Sequence, residues 1–213
     1  MNKNPITEWY CCMRDALNGL QENGYCIIRG STIQELQKFA SDLGQIVYTT
    51  EVQVNINSRA LVTSDRELKL HTDHHAVNYI AWYCHKQSTA GGESVLLDTN
   101  LILPKLSNHD VQALRGIHAY EHKVFDDDAE QHPILSKSES NDLEVYYSYW
   151  LMDDKDRVNI HFQKLKELIE ESKPLKFRLE ANDVLILNNK RVLHGRTEIQ
   201  GDKDRHLTRY WIK

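Results

Sequence analysis

Apolar residues recur at helical spacing at Trp9, Met13, Ala16, Leu17 and Leu20, and the pattern stops at Asn23-Gly24. That period predicts an amphipathic helix closed by the Asn-Gly pair. "YCIIRG" follows as a short buried strand. Ser31 with Gln34, and Thr32 with Glu35, both fit a capping box. They precede a second helix with Leu36, Phe39, Ala40 and Leu43 on its apolar face and Gly44 at its end. From there to about Tyr149 the chain breaks into short strand-like runs such as "IVYTTEVQVNI", "NYIAWYCHK", "SVLLD" and "EVYYSYW". A third helix is expected over 158–171, with Val158, Phe162, Leu165 and Ile169 on one stripe. After Pro174, "LKFRLE", "VLILNN" and "RHLTRYWI" are three further strand candidates, while "FDDDAE" and "LSKSESND" read as exposed loops.

Strands and helices do not alternate as a doubly wound sheet requires, so the pattern predicts a mainly β fold, a barrel or jelly roll with flanking helices. One domain over 1–213 is expected, with a helical element over about 5–44 and a β core over about 45–213. Composition adds exclusions. A formal net charge of −5 disfavours a sequence-independent grip on nucleic acid or on an anionic membrane. Cys11, Cys12, Cys26 and Cys84 show no C-x-x-C pairing and read as idle thiols of a reducing compartment. With no apolar signal run and no stretch long enough for a membrane span, a cytoplasmic location is expected. A homo-oligomer is left open.

The stretch "ELKLHTDHHAV" concentrates candidate chemistry. On a strand, His71 and Asp73 project from one face, with α-carbons roughly 6–7 Å apart, close enough to share one ion. Two His and one carboxylate around a metal with open positions mark non-haem Fe(II) oxygenases. His-x-Asp alone is common in polar loops, and a third ligand must come from elsewhere. His194 stands out, because an apolar run leads to it and "RHLTR" follows. Arg205, Leu207, Arg209 and Trp211 share one face of the last strand, and His206, Thr208, Tyr210 and Ile212 the other. The pattern leaves open which face turns inward. If it is the arginine face, two buried guanidiniums need anions, and a bound dicarboxylate is an economical partner.

The set "LHTD", "TAGGESVLLD", "NNKRVLHGRT" and "DKDRHLTRYWI" resembles the Fe(II)/2-oxoglutarate-dependent oxygenases of the taurine dioxygenase and clavaminate synthase-like group, nearly end to end. The resemblance implies a double-stranded β-helix, a cupin-like jelly roll. It also implies Fe(II) as cofactor, with 2-oxoglutarate and O2 as cosubstrates converted to succinate and CO2. His71, Asp73 and His194 are then the iron ligands. Arg205, eleven residues beyond His194, binds the distal carboxylate of 2-oxoglutarate, with Ser94 beside it where relatives usually carry Thr. Arg209 matches an arginine that holds an acidic group of the substrate, and His75 is a second substrate-contact candidate. Asn188 stands where relatives often carry Asp, which implies an altered contact behind the ligands. The related halogenases have Gly or Ala at the Asp73 position, so oxygen chemistry is implied here.

The expected reaction is hydroxylation of an unactivated C–H bond in a small carboxylate-bearing molecule such as a free amino acid. Desaturation, cyclisation, bond cleavage and a carrier-tethered substrate remain alternatives. Nucleic-acid demethylation and 2-oxoglutarate sensing without turnover rank below them. The chain is shorter than most relatives, which implies reduced lid and substrate loops. Tyr146, Tyr147, Tyr149 and Trp150 are expected more as core than as a substrate wall, and Arg191 and Arg196 as salt-bridge formers. His74 is read as a loop histidine near the mouth. His85, His109, His118, His122, His132 and His161 carry no functional expectation.

Overall fold

The structure, a computed structural model, describes residues 13–121 and 123–213. Trp9, Cys11, Cys12 and His122 lie outside the described residues.

Helix α1 (Met13–Asn23) leads into strand β1 (Tyr25–Ile28) and helix α2 (Ile33–Leu43). Ala16 and Leu20 bury against the sheet, whereas Leu17, expected on the same stripe, is 43 % exposed. Of the two capping boxes, Thr32 with Glu35 starts α2, and Ser31 only adds a hydroxyl donated to the Glu35 carboxylate. Strands β2 (Ile46–Gln53), β3 (Leu68–His71), β4 (Tyr79–Lys86) and β5 (Ser94–Asp98) follow. Helix α3 (Asn108–Arg115) was hidden in a stretch read as strands; a Ser107–Asp110 capping box opens it. Two hairpins come next, β6 (His118–Tyr120) with β7 (Gln131–Pro133), and β8 (Leu135–Lys137) with β9 (Leu143–Val145). "LSKSESND" is therefore mostly the second hairpin's turn and flanks.

The third expected helix divides into α4 (Asp154–Arg157) and α5 (Ile160–Glu170). Asn159 accepts the backbone N–H groups of His161 and Phe162 and starts α5, so Val158 falls outside the stripe and is exposed. The chain ends with β10 (Leu175–Phe177), β11 (Val184–Asn188), β12 (Val192–Arg196) and β13 (His206–Ile212).

Two antiparallel sheets make the jelly roll, one in the order β1-β11-β4-β13-β2 and the other β10-β5-β12-β3. Their facing sides bury Trp82, Leu96, Phe177, Leu185, Leu207 and Trp211 in one cluster. Helices α1 and α2 cover the outside of the larger sheet over Ala81, Tyr83, Ile186 and Tyr210. Helix α5 covers the smaller sheet over Leu97 and Leu193. The central strands are thus buried on both faces, as strands with helices packed behind them must be. That explains why β13 gave no parity signal: Tyr210 and Ile212 bury under α2, while Leu207 and Trp211 bury inside. The arginine face is the inner one.

Candidate metal and cosubstrate site

His71 and His194 are direct cross-strand partners on β3 and β12, with an irregularity in the ladder just beyond them. Gly195 permits the close approach, since a Cβ there would lie 2.5 Å from the Leu68 carbonyl oxygen. His71 Nδ1 sits 2.8 Å from the Lys69 carbonyl oxygen and donates to it, which turns the Nε2 lone pair inward. Asp73 Oδ1 lies 3.5 Å from His71 Nε2 and 3.6 Å from His194 Nε2, and all three residues are buried. Burial and the neighbouring His71 push the His194 pKa down to about 4, so its imidazole is neutral at physiological pH. Burial opposes charge on Asp73, but the Arg209 guanidinium and the two histidines hold its carboxyl well below the usual range. Two imidazoles and one carboxylate therefore converge, a donor set suited to a divalent first-row metal.

The Asp73 position is built by residues beyond the motif. Strand β3 ends at His71, and Thr72 is clamped to Tyr147 by Thr72 N–H donating to its carbonyl (2.7 Å) and Thr72 Oγ1 accepting from its N–H (2.9 Å). Asn189 accepts from Asp73 N–H at 2.8 Å and donates to the carbonyls of His74 and Val77. Asn188, expected to alter a contact behind the ligands, accepts from Lys190 N–H in the turn after β11, and the residue that supports Asp73 is Asn189. Asn189 could have been flagged from sequence only as a polar residue ending an apolar strand, a weak signal.

The other histidines of the motif are not solvated. His74 is fully buried, with Nε2 2.9 Å from Asp128 Oδ1 and Nδ1 accepting from Ala76 N–H. "FDDDAE" therefore sends Asp128 inward. His75 stacks on His132 with ring centroids 4.2 Å apart, and its Nδ1 is 2.9 Å from Glu121 Oε1. Glu121 is a buried carboxylate that sequence reading missed; neither oxygen has an aligned donor among the described residues. Tyr146 and Tyr147 are core, whereas the Trp150 ring stands 5.0 Å from that of His71.

A cavity inside the roll extends from His71 and His194 to Ser94, Arg205 and Arg209 between leucine walls. Arg205 is 7 % exposed, and burial with nearby Arg196 pushes its pKa down to about 9. Among the described residues no carboxylate pairs with it, and its Nε has no hydrogen-bond partner. The Gly91-Gly92 turn makes room: both have positive φ (71° and 76°), and a Cβ on Gly92 would sit 3.4 Å from Arg205 Cδ. Arg209 donates from Nη1 to Asp73 Oδ2 at 2.8 Å, and Trp211 Nε1 donates to the same oxygen at 2.7 Å. Arg209 Nε has no hydrogen-bond partner among the described residues. Arg191 forms the expected salt bridge, a fork onto Asp98. Arg196 does not: it is buried and donates to the carbonyls of Ser64, Arg66 and Thr197. A divalent cation and a dicarboxylate dianion would together leave the cavity's net charge unchanged while giving Arg205 its missing partner.

No helix among the described residues is long and apolar enough to cross a membrane. The chain is 24 % identical to human gamma-butyrobetaine dioxygenase over 188 residues, covering 75 % of this chain and 48 % of that protein. It thus spans about half the length of the curated relatives it matches. Among solved structures it resembles an asparagine oxygenase in complex with Fe(II), 3-hydroxyasparagine and succinate, with TM-score 0.76 and 17 % identity over 94 % of this chain and 78 % of the other. It also resembles the non-haem iron oxygenase OrfP in complex with 3-hydroxy-arginine, with TM-score 0.73 and 17 % identity over 94 % and 77 %. These likenesses agree with the jelly-roll fold. The model of the taurine catabolism dioxygenase TauD, TfdA family matches residues 8–211, and the chain belongs to that family.

Proposed function

We propose that this chain is an Fe(II)/2-oxoglutarate-dependent dioxygenase that hydroxylates a small carboxylate-bearing substrate, most simply a free amino acid. The observation that carries the reading is one cavity holding both a His71–Asp73–His194 donor set and a buried, unpaired Arg205. His71 Nε2, His194 Nε2 and Asp73 Oδ1 hold the iron. When bound, Fe(II) supplies activation of O2, coupled to decarboxylation of 2-oxoglutarate and oxidation of the substrate C–H bond. Arg205 takes the distal carboxylate of 2-oxoglutarate with its planar fork, and the Ser94 hydroxyl donates to the same group. Val52, Leu96, Leu185 and Leu207 exclude water around it.

Arg209 fixes the orientation of Asp73 through one nitrogen and offers its unpartnered Nε edge to the substrate carboxylate. His75, the second substrate-contact candidate, packs against the buried Glu121, and neither residue lines the cavity of Arg205 and Arg209. The asparagine oxygenase and OrfP, bound in their crystals to hydroxylated amino acids, support this choice of substrate class. The test is an anaerobic titration of metal-free protein with Fe(II) and 2-oxoglutarate, followed by the visible charge-transfer band. A band that shifts on adding particular amino acids supports both proposals. No band in folded, iron-loaded protein refutes the first.

A further inference from the structure

Helices α1 and α2 cover the outer face of the larger sheet around Ala81, Tyr83 and Tyr210. Toward the start of β13 that face becomes polar. Thr208 lies opposite Glu51 of β2, and His206 lies opposite Gln53. Against β4, His206 pairs with Lys86 and Leu207 with Cys84, which leaves His85 as the extra residue of a bulge. Bulges re-aim side chains, and here the His85 ring stacks on that of His206, with centroids 4.4 Å apart and planes at 25°. His206 Nε2 is 2.6 Å from Glu51 Oε2 and 3.2 Å from Gln53 Nε2. His85 Nε2 is 2.7 Å from Thr208 Oγ1, which donates to Glu51 Oε1 at 2.8 Å.

We propose that Glu51, His85 and His206 form a second metal site, on the opposite side of the sheet from the inner cavity, for a first-row divalent ion such as Zn2+. One carboxylate oxygen and two imidazole nitrogens lie within 4.8 Å of one another. Two histidines and one carboxylate, completed by water, is the donor set of open zinc sites. His206 directs Nε2 at Glu51, His85 reaches the same carboxylate through the Thr208 hydroxyl, and neither Nδ1 has a hydrogen-bond partner among the described residues. Without an ion each Nε2 donates to these oxygens; the free Nδ1 can take the proton instead, which releases Nε2 to an ion. Glu51 is exposed and the two histidines are half-buried, so an ion reaches them from solvent. The three residues come from adjacent strands, and β2 is the sheet's edge. An ion there staples the edge strand to β13 and β4, behind the strand that carries Arg209 on its inner face.

The test is Zn2+ stoichiometry by equilibrium dialysis and elemental analysis on the full chain. Wild type should bind two ions, Asp73→Ala one, His206→Gln one, and the double variant none. Zn2+ should raise the thermal midpoint of Asp73→Ala and leave that of the double variant unmoved. His206→Gln should keep the Fe(II)/2-oxoglutarate band, and Glu51→Gln should reproduce its loss of one ion if His206→Gln disturbs the strand. A single wild-type ion that vanishes in Asp73→Ala overturns the proposal. So does a second ion that persists in both His206→Gln and Glu51→Gln. Loss of one ion in these two variants supports it whatever Asp73→Ala does, so it stands apart from the function proposed for the cavity.

Discussion

Arg196 and Arg205 flank one cavity, are buried to a similar degree, and have no carboxylate partner among the described residues. Arg196 is nonetheless satisfied, because three backbone carbonyls of the 64–66 and 197 segments accept from it. Arg205 has nothing comparable. A buried guanidinium that closes on its own backbone is part of the scaffold. One left open toward a cavity bears a desolvation cost that an anionic ligand can relieve. The contrast separates an arginine closed on its own backbone from one open to a ligand, without reference to any relative.

Four changes would break or sharpen that contrast. The largest effect is expected from Asp73→Ala, which removes a proposed metal donor and strands Arg209 as a buried charge. Metal-dependent 2-oxoglutarate binding should vanish, and the metal-free protein should lose about 3–5 kcal/mol in urea unfolding. Next comes the paired substitution of the two arginines. Arg205→Met should weaken 2-oxoglutarate about 100-fold or more, worth about 3 kcal/mol, and leave ligand-free stability equal or higher. Arg196→Met should do the reverse, costing about 2–3 kcal/mol of stability through unsatisfied carbonyls with little change in cosubstrate affinity. Calorimetric titration beside urea curves reads both, and equal stability losses in the two variants would erase the distinction.

Acid is expected to act on the cavity through His194, whose pKa of about 4 lies below the ordinary value of about 6.5 that applies once unfolded. Between those values the unfolded chain binds the extra proton and the folded chain does not. Stability of the metal-free protein should therefore fall as pH drops through that window and level off below it. Urea midpoints at intervals from neutral to acid would show the slope, and His194→Gln should reduce it, leaving the share of His75, whose pKa burial lowers to about 3. The smallest expected effect is that of Ser94→Ala, about tenfold in 2-oxoglutarate affinity for one lost hydrogen bond to a charged group. Ser94→Thr should bind as wild type does.

The sequence was most informative where chemistry is local. A capping box needs only two residues three apart, so Thr32 and Glu35 announced α2, and "HTD" announced two donors two residues apart. It failed where an element is short or covered on both sides. Helix α3 has eight residues, little more than two turns, and β12, which carries His194, has five and shows no alternation of buried and exposed positions. Val158 mimicked the stripe of α5 until the Asn159 cap set the helix start.

Type and spacing alone thus determined the mainly β class, the helix faces, and a short set of residues able to bind a metal and an anion. The tertiary structure decided which of them meet. It turned Arg205 and Arg209 inward because α2 covers Tyr210 and Ile212 on the other side of the same strand. It set His71 opposite His194 through the Gly195 approach, and it gave Asn189, Glu121 and Asp128 contacts that their positions in the chain do not reveal. The reason is physical: local backbone preference and periodicity act over a few residues, whereas burial and charge pairing join residues more than a hundred positions apart.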